Sequence, residues 1–205
     1  MRRPSLICSA ARAVREGENI LQPWEAHSSA QLSLAKLAHF STTLHPTYRL
    51  TPSIIHALRG TDQLGPLVML HLWFEMFHLE LFRMAVPGYT ESLPARVAEL
   101  APHGWLEDMA SRCLEHGRNM MLIMVLIEQE TKGGGWADNL DPKLPMLVYA
   151  SVRIQLELGK AVEVDEELKQ GFEIMLACVG RIARFYAINK PLVSVSTGVI
   201  TPVMS

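Results

Sequence analysis

Three residues on one stretch of the chain could hold a metal ion. His71, Glu75 and His78 are spaced by four and three residues, which places them on one face of a helix. Imidazole and carboxylate groups suit transition-metal ions. A catalytic metal site also needs an open position in a polar cleft, and this face adjoins Leu72, Phe74 and Leu79. Satisfied core or boundary histidines are therefore the preferred reading, and a helical metalloprotein the minor one. Cys113 and His116 are three apart, with no second such pair near them, so they do not make a zinc module.

Glu80 and Arg83 stand at i and i+3 among bulky apolar residues. A carboxylate and a guanidinium in such a helix must pair with each other or with backbone groups. The expected role is a buried or half-buried polar anchor. Glu128, Glu130, Asp138 and Asp141 straddle a glycine run and read as a solvated loop. Gly133-Gly134-Gly135-Trp136 lacks the Lys-Ser/Thr pair of a phosphate loop, and no G-x-S-x-G element occurs. No catalytic, cofactor-binding or metal-ligating set is assigned, and the chain is not expected to be an enzyme.

These side chains need elements to carry them. Ser28 or Ser29 caps a helix bearing Leu32, Leu34, Leu37, Ala38 and Phe40. Thr51-Pro52 starts a short helix ending at Gly60. Asp62 or Gly65-Pro66 opens a central helix to about Val86, stopped by Pro87-Gly88. Its apolar positions cover nearly the whole circumference, which predicts burial on most sides. After a loop with one helical turn between Pro94 and Leu100, a helix runs from Trp105 to about Glu128, with Leu106, Met109, Cys113, Met120, Met124 and Ile127 on one face. Asp141-Pro142 starts another helix reaching Leu158. Asp165 caps a last helix carrying Leu168, Phe172, Met175, Val179, Ile182 and Tyr186, and Pro191 stops it.

The pattern predicts an all-α fold, a single helical domain of roughly five to seven helices. The expected organisation is a poorly ordered segment over 1–28, the helical domain over 29–190 and a tail over 191–205. At 205 residues, with 49% hydrophobic and 20% charged residues, the chain can bury its own core. Its net charge of -2 gives no general field for nucleic acid. Cys8, Cys113 and Cys178 are scattered, which argues against a disulfide framework. The helical patterns around Cys113 and Cys178 predict buried, inert thiols. The longest apolar run, Met120 to Ile127, falls well short of the roughly 18 residues of a membrane span, and no membrane association is expected.

Several motifs together carry a family resemblance. LTPSII, then LVMLHLWFEMFHLELFRMAVPGYTESLP, resembles the middle homology region of fungal binuclear zinc-cluster transcription factors. The matching residues are Leu70-His71-Leu72, Glu80-Leu81-Phe82-Arg83, Pro87-Gly88, Glu91-Ser92 and Pro94. Downstream, CLEHGRNMMLIM and LPMLVYASVRI resemble the family's next two helices, and the similarity covers roughly residues 40–190. Glu80 stands where the family has Asp, and Phe82 where it has Tyr. His71, Glu80, Phe82, Arg83, Pro87 and Gly88 form the structural motif so defined.

The resemblance implies a regulatory domain in the nucleus, acting in RNA polymerase II transcription through co-regulators, a family dimer partner or a small-molecule effector. The family's DNA-binding element is a six-cysteine cluster holding two zinc ions. This chain has three scattered cysteines, so neither zinc nor direct DNA binding is expected from it. The alternatives are an interaction-only modulator that dimerises with full-length relatives, and a truncated remnant.

Overall fold

A computed structural model describes residues 21–131, 143–158 and 166–185. Seven α-helices lie among these residues, and no strand does. They are α1 Ser29–Thr43, α2 Pro52–Leu58, α3 Leu64–Phe82, α4 Ala95–Ala98, α5 Trp105–Thr131, α6 Leu144–Leu158 and α7 Glu166–Phe185. Short 3-10 turns occupy Pro46–Tyr48 and Arg83–Ala85. The fold is all-α. None of the described helices is long and apolar enough to cross a membrane.

The helix starts follow their local chemistry. Ser28 Oγ accepts from the Gln31 amide at 3.2 Å, satisfying one of the free donors at the start of α1. Thr51 Oγ1 does the same for Ile54 at 3.3 Å, with Pro52 in the first turn of α2. Gly60 follows α2 at φ 78°, a conformation that side chains with a Cβ rarely adopt. α3 tightens into the 3-10 turn at Arg83, and Val86 is already extended. α4 supplies the expected single turn after Pro94.

Two compact units result. One draws on Met1–Thr43 and Phe77–Cys113, the other on Leu44–Met76 and Leu114–Ser205. In the first unit Leu79, Phe82, Met84, Val86, Met109 and Cys113 are buried, and Trp24 meets Trp105 edge to face at 5.3 Å. The second unit buries the start of α3 through Leu64, Val68 and Leu72, the methionines Met120 and Met124 of α5, and the apolar face of α6. There α6 and α7 pack on each other. Ser151 Oγ donates to the Gly117 carbonyl at 2.7 Å, and Gln155 Nε2 donates to the same oxygen at 3.2 Å.

The central helix is covered on most sides, as its sequence predicts, with Phe77 the exposed apolar exception. Leu64, Leu67, Val68, Met69, Leu72, Met76, Leu79 and Phe82 are buried, Leu70, Trp73, Phe74 and Leu81 are half-buried, and Phe77 is 53% exposed. In α5, Met109, Cys113, Met120, Met124 and Ile127 are buried as the periodicity predicts, and Leu106 is half-buried. Of the predicted α7 face, Phe172 and Met175 are buried. The caps at Asp141 and Asp165, the glycine run and the terminal segments beyond 21 and 185 lie outside the described residues.

Candidate functional site

The motif at the end of α3 folds into a clasp within the first unit. Arg83 Nη2 lies 2.6 Å from Glu80 Oε2 and 3.0 Å from Glu91 Oε1. The helical spacing brings Glu80 to Arg83. Glu91 arrives by a different route, because Pro87 and Gly88 turn the chain back. Gly88 sits at φ 86°, which suits a residue without a Cβ. Leu93 N donates to the Met84 carbonyl at 2.9 Å. Ser92 Oγ donates to the Val86 carbonyl and accepts from Tyr89 N. The side-chain clasp and these backbone ties hold the same loop against the same turn.

All three charged side chains are mostly covered. Burial pushes the Glu80 carboxyl above its ordinary value, the Arg83 guanidinium pulls it down, and the Glu91 carboxylate pushes it up again. The 2.6 Å contact to Arg83 does not win outright, because the cost of burying the charge outweighs it and Glu91 adds to that cost. Arg83 Nε is buried and has no hydrogen-bond partner among the described residues. Cys113 is fully buried in the same unit. Desolvation first of all pushes its thiol up to about 12, with Arg83 lowering and Glu80 raising it less. Such a thiol is a poor nucleophile. Phe82 is buried and its ring centroid lies 6.0 Å from that of His78, so the position where the resembled family has Tyr is here an apolar packing position.

In the second unit the other residues of the His-Glu-His face find separate partners. His71 Nε2 donates to the Tyr48 carbonyl at 2.8 Å, tying α3 to the Pro46–Tyr48 turn. Glu75 Oε2 instead accepts from His116 Nδ1 at 2.6 Å, with Asn119 Nδ2 at 3.4 Å. Both members of the Glu75–His116 pair are largely covered. The short carboxylate–imidazole bond is charge-assisted and anchors α5 to α3 within this unit. Among the described residues, no three His, Cys, Asp or Glu side chains come together as a group that could hold a metal ion.

The sequence reading found the Glu80–Arg83 pair and missed both Glu91 as its third member and His116 as the partner of Glu75. The first had a signal, since Glu91 follows a Pro-Gly turn that must reverse the chain. The second had none within the helix itself. Glu128 and Glu130 are helical residues at the end of α5, while Asp138 and Asp141 lie outside the described residues. No protein family, curated protein or solved structure matches the chain.

Proposed function

We propose that this chain is a regulatory scaffold of the kind found in the middle homology region of fungal zinc-cluster transcription factors, working in the nucleus through protein contacts and a bound effector. One observation carries the reading. Glu80, Arg83 and Glu91, three residues of the resembling motif, meet at a single guanidinium, and Pro87, Gly88 and Ser92 form the turn that brings them there. Motif pieces that look separate in sequence thus serve one structural purpose, which is what a fold-defining signature requires. The same clasp has no nucleophile, because the nearby thiol of Cys113 is buried and its pKa is pushed up.

Such a scaffold acts by presenting surfaces whose affinity differs between conformations. Its test is a reporter assay with the full chain fused to an unrelated DNA-binding domain, alongside a mobility-shift assay on the chain alone. The expected result is altered reporter output and no sequence-specific DNA binding by the unfused chain. Unchanged output, or tight specific DNA binding, would overturn the proposal.

A further inference from the structure

The second unit carries a half-open pocket of about 890 Å³ between the Pro46–Tyr48 turn, α2 and the start of α3. Small-molecule sites typically span about 300–1,000 Å³, with apolar walls and a few polar groups that fix orientation. This pocket has that composition. Ile54, Leu58, Leu67 and Leu70 give it an apolar lining, and Tyr48 and Asp62 bring an aromatic ring and a carboxylate to it.

Its charge is one-sided. Asp62 is the one charged side chain among the lining residues, and it enters no ion pair among the described residues. Tyr48 is 57% exposed as a residue and lines the pocket. A carboxylate and an electron-rich ring both attract a cation, and no lysine, arginine or histidine stands among the lining residues. The Tyr48 wall is also held in position, since its carbonyl accepts from His71 on α3.

We propose that this pocket binds an apolar organic amine, with its hydrocarbon body against Ile54, Leu58, Leu67 and Leu70 and its ammonium group between Asp62 and the ring of Tyr48. The proposal deepens the scaffold reading by naming the chemical class of the effector. Binding is measured on the isolated full chain, so its failure leaves the reporter result of the preceding section standing, and the reverse also holds.

The experiment compares three probes with one apolar body and different heads: 4-phenylbutylamine, 4-phenylbutanol and 4-phenylbutyrate. Each is titrated against the full chain at neutral pH by ligand-observed NMR. Because Asp62 is exposed, the amine should bind only about two- to fivefold more tightly than the alcohol, and the carboxylate should bind most weakly. Asp62→Asn should bring the amine and the alcohol level, and Tyr48→Leu should weaken the amine more than the alcohol. Both positions are exposed, so circular dichroism of the variants should match the parent chain. Absence of saturable binding, an alcohol or carboxylate equal to or tighter than the amine, or a preference that survives Asp62→Asn would each overturn the proposal.

Discussion

Glu75 and His116 stand 41 positions apart in the chain, yet Glu75 Oε2 and His116 Nδ1 meet at 2.6 Å. Neither group is freely solvated, and their short bond satisfies a largely covered carboxylate oxygen and ring nitrogen. Their bond joins the part of α3 and the part of α5 that belong to the same unit.

Removing His116 should therefore cost more than an exposed pair would. With His116→Ala, the Glu75 carboxylate keeps only the long Asn119 contact. The expected loss is about 1–3 kcal/mol in urea unfolding. Adding Glu75→Leu should recover part of that loss, because no covered carboxylate is then left unpaired. Fully additive losses in the double variant would argue against coupling.

The clasp at Arg83 gives a pH-dependent prediction. Glu80 is raised above its ordinary value of 4.5, chiefly by burial. The folded state then holds the Glu80 proton more tightly than the unfolded state. Stability from this group is lost as pH rises from 4.5 through the higher folded value, and regained as pH falls. Wild type should gain stability relative to Glu80→Gln when urea unfolding is moved from neutral pH toward 4.5. A gap moving the other way would show that Arg83 outweighs burial.

Arg83→Met tests the same clasp from its other side. It leaves the Glu80 and Glu91 carboxylates covered and without their shared cation. A destabilisation of about 2–4 kcal/mol is expected. The triple variant with Glu80→Gln and Glu91→Gln should be closer to wild type than Arg83→Met alone, as read by thermal melting.

Half of the clasp was legible in the sequence and half was not, for a geometric reason. Glu80 and Arg83 lie on one helix, where the period of 3.6 residues fixes their proximity before any packing occurs. Thr51-Pro52 and Pro87-Gly88 were readable for the same reason, since caps and breakers act on the backbone next to them. The Glu75–His116 bond instead depends on how two helices cross within a unit, which spacing along one helix does not encode. Glu75 was accordingly grouped with His71 and His78, its sequence neighbours, while His71 found a backbone carbonyl 23 positions away. The breadth of apolar residues on α3 was a sound guide to its burial, with Phe77, 53% exposed, as the exception.

Cys113 should resist thiol reagents in the native chain. Its side chain is fully buried and its thiol is pushed up to about 12, so almost no thiolate exists near neutral pH. Iodoacetamide labelling followed by peptide mapping should modify Cys113 only after denaturant is added. Labelling under native conditions at the rate of a free thiol would contradict its placement.

α1 presents the opposite case from these anchored contacts. Its 15 residues include no fully buried side chain; Leu34, Leu37 and Phe40 are half-buried, and a helix of that length needs such packing to persist in water. The Ser28 cap, reinforced by Ser28 Oγ and Gln31 Nε2 both donating to the Pro23 carbonyl, anchors its first turn. Amide protons of Ser29–Thr43 should therefore exchange with solvent by local opening, ahead of those in α5, whose inward face is buried. A partner that covered this helix would announce itself as slowed exchange there, with no change in the fold elsewhere.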